Sequence, residues 1–357
     1  MKRRTLIQIL GASALTSTLG MLTQPAAAQS TAGLIVPFPA GGGADVLARS
    51  IADAFGRELG LTFWTANHPG AGGTLGAQYL SRQHPDGGYV GYVTNGILCV
   101  NPLLYPKTPF DPMASLEPVG RISEIGLVAV LNPHAIEGVN SLETLLTFGR
   151  KNPGKLTFAS SGIGTTSHLA GMLFSLRTGI EMLHIPYRGG NAAMMDVLAG
   201  RIPFMIDVAP NTLPHIRAGK LKALGSASPN RLAAAPDIPT LAECGLVGVE
   251  LSAWDGIALP KGASPELVER YSAALSKALN DPAVSESLAK KGAEMKYVPA
   301  HRQTSVRGLP VNVQNGQNWS RLFKPKQQLK TKIAAGEDLQ IACFSAVLRS
   351  SKAMPSP

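Results

Sequence analysis

The chain has only three cysteines, Cys99, Cys244 and Cys343. They lie far apart and show no metal-ligand spacing, so neither a metal site nor any other cofactor is expected. A Cys99 to Cys244 bridge is compatible with an oxidising compartment, but buried free thiols are the expectation. Beyond Leu22 no stretch approaches the roughly 18 apolar residues of a membrane span, which predicts a soluble mature protein. Excess charge is missing where a nucleic-acid binder would need it. The formal charge of +10 sits at the two ends: Lys2, Arg3 and Arg4 give +3, and residues 301–357 hold nine Lys or Arg against Glu337 and Asp338, giving +7. The body between them carries 21 basic and 21 acidic residues, so no nucleic-acid partner is expected for it. Gly41, Gly42 and Gly43 do not extend to G-x-G-x-x-G because Val46 occupies the last position, no G-K-[ST] follows, and no G-x-S-x-G elbow occurs.

What is present begins with an export signal. Lys2, Arg3 and Arg4 precede an apolar run from Leu6 to Leu22, and Ala26 to Ala28 fit cleavage before Gln29. The Sec and twin-arginine routes both suit it, and either delivers the chain to the periplasm. At 357 residues the chain allows two domains.

The stretch from Leu34 to Arg49 reads as a strand feeding a helix through a proline and glycine turn. Leu47, Ile51, Phe55 and Leu59 recur every four residues, which predicts one apolar helix face packed on a sheet. Gly41 to Gly43 let a ligand approach the backbone, and the N–H groups opening the helix lack intrahelical acceptors, so the turn suits an anion. Asp45, in the first helical turn, is expected to serve the helix dipole. Strand, helix, strand, helix, strand follows through Tyr89 to Thr94, which predicts a parallel sheet with ligands at its carboxyl ends. Five prolines from Pro102 to Pro118 rule out long regular elements and suggest a crossover.

From Gly126 the plan repeats. Strands at Gly126 to Leu131, Leu156 to Ala159, Met182 to Ile185 and Phe204 to Asp207 are joined by three helices, the first capped by Ser141 and running to about Lys151, the second through Leu176 and the third over Asn191 to Ala199, and Lys222 to Ser226 is a last strand. A strand at Trp254 to Leu259 and helices opened by Ser264-Pro265 and Asp281-Pro282 close the regular part. Periodicity ends at His301. We therefore expect a signal peptide over 1–28, a first lobe from 29–124 and 226–300, a second lobe from 125–225, and an atypical basic tail over 301–357.

Both halves present polar turns to a shared crevice: Phe38 to Gly43, Thr94 and Asn95 from the first, Ser160 to His168, Arg188 to Gly190 and Asp207 from the second. Backbone N–H groups at opposed helix starts, with the hydroxyls of Ser160, Thr165, Thr166 and Ser167, would clamp an organic acid without a cationic side chain. Thr165, Thr166 and Ser167 also suit plain helix capping. Asp207 would bond a donor on the ligand or pin a neighbouring loop. Ser160, Ser161, Ser167, His168 and Asp207 are the residue types of a serine hydrolase, but Ser167 and His168 are adjacent and point to different helix faces. His168 is expected to pack or to bond a turn carbonyl. A secreted hydrolase is the alternative reading, and a nucleic-acid or membrane-surface binder acting through the basic tail is the second.

Taken together, Ile35 to Asp45, Asn67 to Gly76, Thr94 to Gly96, Asn152 to Lys155, Ser160 to Gly171, Pro186 to Gly189, Leu213 to Lys220 and Ile238 to Thr240 make the chain resemble the Bug family of tricarboxylate-type periplasmic receptors. The resemblance implies a two-lobed α/β fold of the Venus-flytrap, type II-like kind, each lobe a mostly parallel sheet flanked by helices and closing on a small carboxylate. It implies ligand contacts at Phe38, Pro39, Ala40, Gly41, Gly42, Gly43, Thr94, Asn95, Ser160, Ser161, Gly164, Thr165, Thr166 and Asp207, no catalytic residue, and a tripartite tricarboxylate-type membrane permease as partner. A monomer is expected. Two departures stand out. The first strand looks short, with only Gln29 to Gly33 between the signal and Leu34, and residues 301–357 do not show the family's closing amphipathic helix. The break in composition predicts a tail read wholly or partly out of frame, which the coding DNA would test.

Overall fold

A computed structural model describes residues 30–105 and 108–299. The readings of the signal peptide and of the tail lie outside the described residues. In chain order the elements are β1 (Ser30–Val36), α1 (Gly43–Leu59), β2 (Leu61–Asn67), α2 (Thr74–Ser81), β3 (Tyr89–Thr94), α3 (Asn101–Leu104), α4 (Pro112–Ser115), β4 (Leu116–Ile125), β5 (Leu127–Leu131), α5 (Leu142–Lys151), β6 (Leu156–Ser160), α6 (Thr166–Thr178), β7 (Met182–Pro186), α7 (Gly190–Leu198), β8 (Phe204–Val208), α8 (Ala209–Arg217), β9 (Lys222–Ser226), β10 (Ala253–Pro260), α9 (Pro265–Asn280), α10 (Pro282–Lys290) and β11 (Ala293–Pro299).

The strands form two sheets, ordered β11-β4-β10-β3-β1-β2 and β7-β6-β8-β5-β9. Both are mixed rather than mostly parallel. β1 with β3, and β6 with β7 and β8, run parallel, as expected for strands joined through crossover helices. β10, β4 and β11 in the first sheet and β5 and β9 in the second pair antiparallel, because they carry the chain between sheets and back.

The apolar stripe of α1 is as its spacing predicts: Leu47, Ile51, Phe55 and Leu59 are buried, and Gly60 ends the helix with φ of 70°. Phe55 meets Tyr271 of α9 edge-on at 5.9 Å, and the Tyr271 hydroxyl donates to Gly87 O at 2.7 Å, tying α9 to the turn before β3. The first strand is not short, since it begins at Ser30. The proline-rich interval also yields more order than expected. α3 and α4 are brief, but β4 runs for ten residues and stays in the first sheet. Pro118 is tolerated there because the ladder to β10 slips register between Ile257 and Ala258, leaving a bulge at the proline.

The chain passes from the first sheet to the second at Gly126, between β4 and β5. A Cβ on Gly126 would lie 2.1 Å from Leu232 Cδ2, so a larger residue at the passage would have to displace the Leu232 side chain. Ser141 opens α5 with a capping box shared with Thr144. Ser141→Ala is expected to lower stability by about 1 kcal/mol, read as a shift in denaturant midpoint at unchanged slope. The cysteine expectation fails in part. Cys99 and Cys244 are not bridged to each other, but Cys99, in the short helical segment Gly96–Val100, is half-buried and Cys244, in a turn, is exposed.

Candidate functional site

The parallel strands β1, β3, β6 and β8 end around one cavity of ≈ 80 Å³. From the first sheet come Phe38, Pro39, Gly42, Gly43, Thr94 and Asn95, and from the second Ser161, Thr165, Thr166 and Asp207. Four other expected contacts do not line it. Gly41 has φ of +74° and donates its N–H to Asp45 Oδ2 at 2.9 Å. Ala40 turns its carbonyl to Asn191 Nδ2, 3.2 Å away. Ser160 is fully buried with its Oγ 2.6 Å from His184 Nε2, and Gly164 packs so tightly that a Cβ would lie 2.0 Å from Asn101 Oδ1.

The cavity meets the starts of four helices. The caps of α1, α7 and α8 are Gly42, Gly189 and Val208, and none makes a side-chain cap bond. At α1 and α7 the first N–H groups therefore lack intrahelical acceptors beside residues that line the cavity, whereas at α8 Ala209 N donates to Gly126 O at 2.8 Å and Pro210 has no N–H. α6 differs, since Thr165 Oγ1 accepts from His168 N at 3.4 Å. The expected hydroxyl clamp is committed to the protein itself. Thr165 Oγ1 donates to Gly162 O at 2.7 Å, Thr166 Oγ1 to Asn95 Oδ1 at 3.0 Å, and Ser167 Oγ to Ile206 O at 2.6 Å. The donors facing the space are backbone N–H groups at positive helix ends, an arrangement that holds an anion.

Asp207 is 2% exposed and accepts from Ser161 Oγ at 3.0 Å and Asn211 Nδ2 at 2.6 Å. Burial raises its pKa above the ordinary carboxylate value, and these donors only partly offset that. Asp45 behaves oppositely. Burial pulls it up, but bonds from Arg49 Nε, Asn67 Nδ2 and Gly41 N hold it below 3.8. It is therefore more than a dipole partner, because it shapes the turn of Phe38 to Gly43, where Asn67 Nδ2 also reaches Phe38 O at 2.9 Å. The stability Asp45 contributes is present above about pH 4 and is lost as pH falls through its folded value. Asp45→Ala is expected to remove that acid dependence and to cost about 1–3 kcal/mol at pH 7, measured by urea unfolding at several pH values.

Asn67, Asn191 and Asn211 hold the turns, and sequence reading missed all three. Asn211 carries the one available signal, since it falls four residues after Asp207. His168 stacks on His184 at 4.4 Å and accepts from Gly164 N rather than bonding a carbonyl. Burial and the neighbouring His168 lower His184 to about 4, so the stack is neutral at pH 7. Ser160 bonds His184 while Asp207 bonds Ser161, so the hydrolase residue types fall into two separate hydrogen-bonded groups.

Two α/β lobes with a cavity at the carboxyl ends of their parallel strands define the two-lobed class of periplasmic binding proteins, whose solved structures share this fold. The chain belongs to one family within it: residues 47–307 match the profile described as Tripartite tricarboxylate transporter family receptor. The protein BugT of Bordetella pertussis is 35% identical over 262 residues, covering 73% of this chain and 79% of BugT. The solved periplasmic binding protein BugD is 34% identical, with a TM-score of 0.70 over 75% of this chain and 88% of BugD. An R. palustris protein solved with adipate is 26% identical, with a TM-score of 0.73 over 90% of this chain and 97% of its own. No helix among the described residues is long and apolar enough to cross a membrane.

Proposed function

We propose that this chain is an exported periplasmic receptor that captures a small organic carboxylate between its lobes, for uptake or sensing, without catalysing a reaction. The observation that carries this reading is the cavity bounded by two helix starts with no side-chain cap, those of α1 and α7, and by the start of α6 capped by Thr165. The adipate bound by the R. palustris relative supports a carboxylate ligand. The ligand contacts would be Phe38, Pro39, Gly42, Gly43, Thr94, Asn95, Ser161, Thr165, Thr166 and Asp207. The lobes would hinge where the chain changes sheet, at Gly126 and between β9 and β10, with the ligand favouring the closed state through its contacts to both. A tripartite tricarboxylate-type permease is the partner that fits uptake.

A thermal-shift screen of dicarboxylates, aromatic acids and acidic amino acids tests this. A ligand at 100 times its Kd stabilises by about 2.7 kcal/mol, a shift of several degrees. Failure of every organic acid to stabilise a folded sample refutes the reading.

A further inference from the structure

The two walls of the cavity are also bonded to each other. Ala40 and Asn95 lie in the turns that follow β1 and β3 of the first sheet. Thr166 opens α6 and Asn191 lies in the first turn of α7, two helices packed on the second sheet. Thr166 Oγ1 donates to Asn95 Oδ1 at 3.0 Å, and Asn191 Nδ2 donates to Ala40 O at 3.2 Å. Each bond therefore runs from one lobe to the other and needs no ligand atom to complete it. Asn95, Thr166 and Asn191 all line the cavity, so both bonds lie at its wall.

The backbones beside each bond approach closely. Next to the first, a Cβ on Gly96 would lie 2.9 Å from Gly164 O; next to the second, a Cβ on Gly189 would lie 2.6 Å from Pro39 Cδ. Glycine at these two positions brings the lobes near enough for short side chains to span the gap. Thr166 and Asn95 are each 7% exposed, so their bond is shielded from water. The neighbouring hydroxyls behave differently. Thr165 Oγ1 and Ser167 Oγ, on either side of Thr166, donate to Gly162 O and Ile206 O of their own lobe. A hinge motion at Gly126 would leave those two bonds intact and part the two that cross.

A bond made only when the lobes meet adds to the stability of the closed state, and the population of that state scales the affinity for every ligand alike. We propose that Thr166 and Asn191 are closure residues, whose side-chain bonds to Asn95 and Ala40 form as the lobes shut and strengthen binding by holding the lobes rather than the ligand. This rests on the reading of the inner cavity as a carboxylate site, and it adds a share of affinity that no ligand contact supplies.

The test is a double-mutant cycle on the full chain, Thr166→Val with Asn95→Ala, titrated calorimetrically with succinate, adipate, benzoate and glutamate. Thr166→Val is expected to weaken each acid that binds by about 3- to 10-fold, the size of one neutral hydrogen bond. Where Asn95 is already alanine, the same change is expected to cost less than about 2-fold. Thr166→Ser keeps the donor and is expected to recover the affinity lost in Thr166→Val. Asn191→Ala, which leaves that pair intact, is expected to weaken the same acids by about 3- to 10-fold. Without ligand, the urea midpoints of the cycle are expected to show no coupling between Thr166 and Asn95, because open lobes do not make the bond. Equal weakening by Thr166→Val in both backgrounds overturns the proposal, since the hydroxyl would then act on the ligand itself. Coupling in the ligand-free urea midpoints also overturns it, because the bond would be a permanent strut. Undiminished affinity in folded Asn191→Ala overturns the role of the second bond. All three outcomes leave the carboxylate reading standing, whereas binding of none of the four acids by the wild type overturns both.

Discussion

Gly190→Val is expected to weaken carboxylate binding by roughly 100-fold, about 2.7 kcal/mol, in a protein that remains folded. Gly190 opens α7 and lines the inner cavity. A Cβ at this position would lie 2.8 Å from Asn211 Nδ2, 2.9 Å from Asp207 Oδ2 and 3.1 Å from Ser161 Oγ. All three atoms belong to the hydrogen-bonded group around the buried Asp207, so none can retreat without breaking a bond to it. Overpacking of this kind costs about 1–3 kcal/mol, and a buried carboxylate deprived of a donor costs a similar amount. The two γ-methyl groups of valine would also occupy part of a cavity of only ≈ 80 Å³. Gly190→Ala is expected to fall between the wild type and Gly190→Val. Titration calorimetry reads the affinity, and circular dichroism reads the fold. Undiminished affinity in folded Gly190→Val would place the ligand away from Asp207.

Elements built on a single local signal were legible in the sequence, and those that depend on distant partners were not. α1 was readable because four apolar residues at helical spacing are sufficient to define its buried face. α9 was readable because Ser264 and Pro265 mark its start by themselves. β4 was hidden because Pro118 argues locally against a strand, and only its bulged pairing with β10 admits it. α8 was hidden for a similar reason, since Pro210 and Pro214 fall within nine residues, yet Pro210 sits in the first turn where no N–H is needed. β11 was missed although Ala293, Met295 and Tyr297 alternate with Glu294 and Lys296, and it pairs as an edge with β4. At the candidate site, the glycine turns were visible because missing side chains are visible. What could not be read was which N–H groups remain available. Gly41 looks like part of the cradle until Asp45, four residues on, takes its N–H, and the Thr166 hydroxyl looks like a donor to the ligand until Asn95 accepts it.

Asp255→Asn is expected to gain stability over the wild type as pH rises from about 4 to about 7, by up to roughly 3 kcal/mol. Asp255 is fully buried on β10, and burial raises its pKa to about 6 although Tyr92, Ser123 and the charge of Arg121 favour the anion. Its Oδ1 accepts from Ser123 N at 3.0 Å and Ser123 Oγ at 2.7 Å, and Oδ2 accepts from the Tyr92 hydroxyl. Since the folded pKa lies above the unfolded value near 3.9, the folded chain holds this proton more tightly. Between pH 4 and 6 the folded state therefore binds more protons than the unfolded state, and stability falls as pH rises through that window. Asparagine stays neutral and escapes the slope. Asp45 and Glu124 act in the opposite sense, since their folded pKa values lie below the usual ones and their contributions are lost on acidification. The wild-type profile mixes both slopes, while the difference between wild type and Asp255→Asn isolates one. Urea unfolding at several pH values measures it, and a difference independent of pH would mean that Asp255 titrates near 4 in the folded chain. The anion's unfavourable burial bears on the site because Tyr92, whose hydroxyl it holds, lines the inner cavity together with Ala253 and Trp254 next to Asp255. A more stable Asp255→Asn that binds carboxylates less well would show stability given up for the position of Tyr92, whereas unchanged binding would confine Asp255 to the packing of β10 against β3 and β4.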